Sequence, residues 1–324
     1  MILLISKHEV KKLVRKKSLR EAYGRELVKA AKKDSRIVVL DADLCESTMT
    51  CYMEQEIPQR FFEMGISEQN MVSVAAGLAL VGKVPFVNSF SVFTTGQPYN
   101  QIRQGVALPK LNVKIFGSSC GLSDAGDGAT HQSVEDIAIM RAIPNMTVIV
   151  PVDAIETKKV VRAIIEYPGP VYVRISRTPL PILTEEDTPF QIGKMSLIKD
   201  GSDITIFACG LMVYQVLRAR EILTDRGISV RVVNVNTIKP LDREAIKKYS
   251  KGVKGVITAE EHSIIGGLGG AIIEALSNQM VRVERVGIED VFGQSAQTHK
   301  ELLEYYSLTP ENIIEKAEGL VKYK

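Results

Sequence analysis

Hydrophobic positions along the chain gather into short apolar runs, each separated from the next by a segment of helix length. Runs at 35–41, 83–88, 112–117, 147–150 and 171–175 are rich in Val, Ile, Leu and Phe. Such runs read as strands buried on both faces, and with helices between them they predict a parallel sheet covered on both sides. Between 178 and 194 the pattern fails. Pro179, Pro181 and Pro189, with Glu185-Glu186-Asp187, read as a linker. Alternation then restarts, with strands expected at 203–208, 229–235, 255–259 and 281–286. The predicted fold is α/β, with two doubly wound domains: a parallel-sheet domain over residues 1–177, a linker at 178–193, and a smaller, mostly parallel domain over 194–324. Residues 1–17 read as a basic N-terminal helix.

One stretch departs from plain alternation. Over residues 61–82, Gly65 breaks an extended approach, Ser67 stands where a helix N-cap would, and a run of small apolar residues ends at Gly82. Ala75, Ala76, Gly77 and Ala79 leave little side chain on that helix, so another backbone can pack close to it. Glu68 is the odd member. An acid in a first turn complements the helix dipole. If it is buried instead, it needs a partner or a proton.

Composition narrows the class. At 324 residues the chain exceeds a comfortable single core. With 45% hydrophobic and 24% charged residues it reads as an ordinary soluble globular protein. A net charge of +3 does not point to nucleic acid. Lys11, Lys12, Arg15, Lys16, Lys17 and Arg20 form a basic cluster. It has no interleaved aromatics and carries Leu13, Val14 and Leu19 on an apolar side, so it reads as a solvated helix face. No run approaches membrane-spanning length. Cys45, Cys51, Cys120 and Cys209 form no CxxC pair, as expected for a reducing cytoplasm.

In open parallel sheets, ligands gather beyond the carboxyl ends of the strands. The first strand is followed by Asp41-Ala-Asp-Leu-Cys-Glu-Ser47, the third by a long Gly-, Ser- and Asp-rich loop from Ser118 to His131, and the fifth by Ser176-Arg177. A loop of that length and composition is a functional candidate, and His131 closing it four residues after Asp127 adds titratable chemistry. Gly266-Gly-Leu-Gly-Gly270 does not give the G-x-G-x-x-G spacing, because Ile272 occupies the third glycine position. It reads as a tight helix entry, and His262 as a structural histidine. His8 and His299 have no reading from the sequence.

Several pieces coincide with one family. Gly65-Ile-Ser-Glu-Gln-Asn-Met followed by Ala-Ala-Gly-Leu-Ala resembles the pyrimidine-binding domain of transketolases and their thiamine diphosphate relatives. So do Ser89-Phe-Ser-Val-Phe, Gly126-Asp-Gly-Ala-Thr-His-Gln, Ile143-Pro-Asn-Met, Val173-Arg-Ile-Ser-Arg and Thr258-Ala-Glu-Glu-His-Ser-Ile-Ile-Gly-Gly-Leu-Gly-Gly. The resemblance covers nearly the whole chain, as the C-terminal half of a split, two-subunit transketolase. The diphosphate-binding domain that opens a full-length transketolase has no counterpart here. Gly126-Asp127-Gly128 is read as a sugar-contacting loop, not as that domain's Mg²⁺ motif.

The resemblance implies that Glu68 faces the cofactor's aminopyrimidine and shares a proton with it, that Phe90 and Phe93 line and stack on that ring, and that Asp43 lies near the thiazolium. It implies that Asp127 accepts a hydrogen bond from a sugar hydroxyl and that His131 contacts the donor's carbonyl-end oxygens and belongs to the catalytic set with Glu68. Arg20, Ser47 and Arg177 would hold the sugar phosphate. Ser119 stands where a substrate-contacting histidine is usual, which leaves the acceptor open. No metal site is expected in this chain, since Mg²⁺ comes with the partner subunit.

The implied activity is transfer of a two-carbon ketol unit from a ketose phosphate to an aldose phosphate. It belongs to the pentose phosphate pathway's chemistry and is active only with an N-terminal diphosphate-binding subunit, in a cytoplasmic heterotetramer. Two alternatives share the motifs: a subunit of a related thiamine enzyme (a 2-oxoacid dehydrogenase beta subunit, or a deoxyxylulose phosphate synthase-like half), and a non-catalytic orphan subunit.

Overall fold

The computed structural model describes residues 15–322. Residues 1–14 of the expected basic helix, with His8, lie outside that range. Its last two residues are not helical. Lys16–Lys17 form a strand (β1) paired antiparallel with Leu180–Pro181. The cause is local: Ser18 caps the next helix, Leu19–Lys33, from extended backbone, so the chain reaches it straight.

The remaining strands are β2 (Ile37–Asp41), β3 (Phe61–Glu63), β4 (Val84–Phe90), β5 (Lys114–Ser118), β6 (Thr147–Ile149), β7 (Val171–Arg174) and β8 (Leu180–Pro181). They continue with β9 (Ser196–Lys199), β10 (Ile204–Ala208), β11 (Val230–Asn234), β12 (Thr237–Lys239), β13 (Gly255–Ser263) and β14 (Val283–Ile288). One sheet has seven strands in the order β12-β6-β7-β5-β4-β2-β3, and the other five in the order β14-β13-β10-β11-β9. Within the first, every pairing is parallel except β12 with β6. Within the second, only β9 with β11 is antiparallel. β2, β4, β5 and β7 are buried along their whole length, as expected of strands with helices on both faces.

β12 follows β11 in the chain yet lies on the edge of the first sheet, so the two halves share a strand. Their cores merge as well. Ile137 and Met140 pack in one buried cluster with Phe207, Val233, Leu268 and Ile272. The proline-rich segment between the halves is held down. Leu180 and Thr184 are buried, and Asp153 accepts hydrogen bonds from the backbone N–H groups of Leu183 and Thr184.

Polar groups fasten the same seam. Asp136, the first residue of the Asp136–Ala142 helix, accepts from Arg174 Nε at 2.7 Å and Tyr172 Oη at 2.6 Å. Arg174 also donates to the carbonyl of Glu261 on β13 at 2.8 Å. His262 accepts from the Ala138 N–H, and burial holds its pKa down at about 4, so the ring is neutral at physiological pH. Glu156 accepts from Asn236 Nδ2 and the Val152 N–H, both at 2.7 Å, and from Asn234 Nδ2 at 3.2 Å. Burial outweighs these donors and raises its pKa to about 7.

The Glu68–Leu80 helix begins and ends close to where the sequence places it, and Gly82 follows in the left-handed conformation with φ +84. Ser67 occupies the N-cap position without capping. Its hydroxyl donates instead to the Met64 carbonyl at 2.7 Å.

Two expectations follow for stability. Asp136→Asn leaves Arg174 as a buried cation without its counter-charge and should cost about 3–5 kcal/mol, read as a lower denaturation midpoint at unchanged slope; an unchanged midpoint would show that the pair is not what closes the seam. The native chain holds the Glu156 proton more tightly than the unfolded chain, whose carboxyl titrates near 4.5. This group's contribution is therefore lost as pH rises from about 4.5 to about 7. Thermal melts of Glu156→Gln and wild type across that window should show the difference moving in the variant's favour as pH rises.

Candidate active site

Because β2, β3, β4, β5 and β7 are parallel, the segments leaving their carboxyl ends emerge on one rim of the sheet. Asp43 follows β2, Glu68 follows β3, Phe93 follows β4, Ser119 to His131 follow β5, and Arg177 follows β7. β3 lies on one side of β2 and β4 on the other, so the helix headed by Glu68 starts beside the point where the chain reverses its direction of winding.

Three rings meet on this rim. Phe90, buried at the end of β4, stacks on the half-buried Phe93 with centroids 6.1 Å apart and planes 15° apart. His131 stands edge-on to both, at 6.1 Å from Phe90 and 5.3 Å from Phe93. Its Nδ1 lies 2.9 Å from Thr130 Oγ1, and among the described residues Nε2 makes no hydrogen bond. One aromatic face and one titratable nitrogen are thus available side by side.

A charged cluster adjoins the rings. The Arg177 guanidinium lies 5.6 Å from the Phe90 centroid and 3.3 Å from the Asp124 carboxylate. Arg20, in the first turn of the Leu19–Lys33 helix, donates from Nη1 to the Ser47 carbonyl and from Nη2 to the Arg177 carbonyl, while its buried Nε has no partner. Burial and the neighbouring Arg177 lower the pKa of Arg20, against the attraction of Asp124. Arg20, Ser47 and Arg177, far apart in sequence, are therefore in one place. Ser47 is brought there by Asp41, whose buried carboxylate accepts from Thr48 Oγ1, Thr50 Oγ1 and the Leu44 N–H and so shapes the turn. Burial raises the Asp41 pKa to about 6.

Other candidates stand outside this network. Glu68 is 6% exposed, and among the described residues its carboxylate has no hydrogen bond or ion pair. Asp43 is exposed with φ +60, and its backbone N–H donates to Glu63, which also accepts from the Gly65 N–H. Ser119 is fully buried with φ +53, and its Oγ has no partner. Asp127 is exposed on the loop and adds negative charge beside Asp124. Among the described residues, no group of three or more His, Cys, Asp or Glu side chains could hold a metal ion.

Sequence reading missed two residues. Asp124 is buried between Arg177 and Asp127; an acid six residues after Ser118 in the Gly/Ser/Asp loop was the only signal. Glu261 accepts from the Leu122 N–H and from His299 Nε2, both at 2.8 Å, so the second half of the chain props the Ser118–His131 loop. The Gln294 and Ala125 carbonyls extend that brace by accepting from Gln132 Nε2 and the Ala296 N–H. Nothing in the sequence marked His299 for this place.

Comparison with known proteins accounts for the layout. Residues 15–182 match the pyrimidine binding domain of transketolase, and residues 193–313 its C-terminal domain. A putative transketolase C-terminal section from Methanocaldococcus jannaschii is 50% identical over 304 residues, covering 93% of this chain and 95% of that protein. A 6-deoxy-6-sulfo-D-fructose transketolase subunit from a Clostridium species is 42% identical, over 94% of this chain and 95% of its own length. Among solved structures, a split gene transketolase, determined as an inactive beta4 tetramer, superposes with a TM-score of 0.87 at 42% identity, over 95% of this chain and 99% of that one. The chain belongs to the transketolase family, as a C-terminal section made of the pyrimidine-binding and C-terminal domains.

Proposed function

We propose that this chain transfers a two-carbon ketol unit from a ketose phosphate to an aldose phosphate, as the half that holds the aminopyrimidine end of thiamine diphosphate. The observation that carries the reading is Glu68: a largely buried acid with no hydrogen bond or ion pair among the described residues, at the strand-end rim that also carries a stacked aromatic pair. Burying such a group unpaired is costly, which fits a site where a ring nitrogen completes the pair. When bound, the cofactor supplies the electron sink for the carbanion chemistry.

The chain's own residues hold, orient and move protons around it. Glu68 gives and takes a proton at the pyrimidine nitrogen. Phe90 and Phe93 offer flat apolar faces that order a planar ring and exclude water. His131 presents its free Nε2 toward the donor's carbonyl-end oxygens, and Asp127 receives a sugar hydroxyl from the exposed loop. Arg177 and Ser47, steadied by Arg20, hold the acid end of the sugar, where guanidinium forks suit a tetrahedral oxyanion. Asp43 approaches the thiazolium from the β2 loop.

The partner in this reading is an N-terminal subunit that brings the diphosphate site and Mg²⁺, in a cytoplasmic heterotetramer with two copies of each chain. The division into residues 1–177, 178–193 and 194–324 serves this assembly, the second unit bracing the substrate loop. Support for self-association comes from the Glu68–Leu80 helix. It leaves Val74 and Leu80 exposed, as are Ile66, Val81 and Leu108, and among the described residues nothing beyond the helix's own backbone lies within 4 Å of a Cβ placed on Gly77. A relative solved as an inactive beta4 tetramer fits a half that is idle without its partner. All four cysteines are free, and no helix among the described residues is long and apolar enough to cross a membrane.

Glu68→Gln should keep the fold by circular dichroism and cut turnover of the reconstituted complex by at least about 100-fold; near-normal turnover would mean the acid is misassigned. Purified by itself, the chain should show no ketol transfer in a coupled assay until the diphosphate-binding subunit is added. Activity from the lone chain would remove the split-subunit reading.

A further inference from the structure

We propose that Asp124 makes the acid-binding end of the sugar site select a singly charged tetrahedral head group, such as a sulfonate or a phosphate monoanion, over a doubly charged phosphate. The inference rests on the ketol-transfer reading above and narrows its substrate class, from sugar phosphates in general to sugars whose acid group carries a single charge.

The argument is one of charge balance in a confined place. Among the described residues, Arg20 and Arg177 are the cations of this cluster, and the Asp124 carboxylate, its side chain 4% exposed, pairs with Arg177 and acts electrostatically on Arg20. Water reaches Asp124 too poorly to screen it, so its charge acts on whatever shares the pocket. Two positive charges and one negative leave one positive, enough for a monoanion but not for a phosphate dianion. Asp127 and His131 also face Asp124, the first adding negative charge and the second opposing it when protonated. Burial, against the pull of Arg177, raises the Asp124 pKa.

The donors are already partly committed. Arg20 spends one N–H of each terminal nitrogen on a backbone carbonyl, and its Nε is buried and unpartnered, so two of its five donors are committed and a third is sealed off. Arg177 gives Asp124 one contact of 3.3 Å, long for a charge-assisted bond, and among the described residues its other guanidinium N–H groups make no hydrogen bond. An incoming oxyanion therefore gains donors from Arg177 but cannot displace Asp124. The backbone carbonyls of Asp124 and Ala125 are pinned by Gln132 Nε2 at 3.0 Å and the Ala296 N–H at 2.9 Å. The β5 loop adds no permanent third cation: Ser119 is neutral and buried, and His131 adds charge only when protonated.

The test uses the complex reconstituted with its diphosphate-binding subunit, with D-fructose 6-phosphate and 6-deoxy-6-sulfo-D-fructose as matched donors. Dissociation constants come from calorimetry and kcat/KM from turnover. At pH 8 the sulfonate should be preferred. Lowering the pH toward about 6, where the second phosphate proton returns, should tighten phosphate binding and leave the sulfonate unchanged. Asp124→Asn should move the phosphate-to-sulfonate ratio about tenfold toward phosphate, mainly through KM. Because the ratio is read within one variant, partial loss of folded protein cancels. Phosphate preferred at pH 8 by wild type, or a ratio unmoved by the substitution, overturns the proposal, as does failure to bind either sugar. Binding without turnover would remove the ketol-transfer reading, while the binding ratio still decides the role of Asp124.

Discussion

The structure depends on a buried ion pair at the seam between its two sheets. Arg174 ends β7 with its guanidinium against Asp136 and its second donor on the Glu261 carbonyl of β13. A cation buried this deeply is tolerable only when it is paired and hydrogen-bonded. The two halves must therefore dock in one relative position for the pair to form. The shared strand β12 and the merged apolar cluster enforce the same position by backbone pairing and burial. The second half is thus not a passive appendage to the first.

That fixed docking reaches the chemistry through the Ser118–His131 loop. A long, Gly-rich segment carries a high conformational entropy and would sample many shapes if only its ends were held. Here Glu261 takes the Leu122 N–H, and the 294–296 segment takes Gln132 and gives to Ala125. One anchor comes from β13 of the second sheet, and the others come from the segment after β14. Asp124 is held against Arg177 by this scaffold, and His131 is held edge-on to the aromatic pair. Charge at the acid end of the site is set as much by the bracing of one loop as by the arginines beside it.

Legibility in the sequence followed the range of the interactions. Apolar runs marked β2, β4, β5, β6, β7, β10, β11 and β13, because a strand buried on both faces is mostly apolar; β14, an edge strand carrying Glu284 and Arg285, showed through Val281, Val283 and Val286. β3 showed only as an extended approach before Gly65, and β9 and β12 were missed: both are short and lie at or beside a sheet edge, where polar residues are allowed. The helix after Gly65 was legible from its small residues and its glycine stop. The cap was not, since a serine hydroxyl that donates backward to Met64 looks in sequence like one that caps. Arg20, Ser47 and Arg177 were legible as a set only through the motifs that carry the family resemblance.

By itself the sequence determined the α/β class, the break between the two alternating patterns, the helix headed by Glu68 and the family whose motifs it shares. These rest on periodicity and local backbone preference, which act over a few residues. Only the tertiary structure decided that a strand from the second half completes the first sheet, that Glu261 and His299 hold the β5 loop, and that Asp124 lies buried against Arg177. Those facts depend on side chains meeting across 50 to 140 positions of chain. Only the packing of the two sheets settles which of the possible pairs meet.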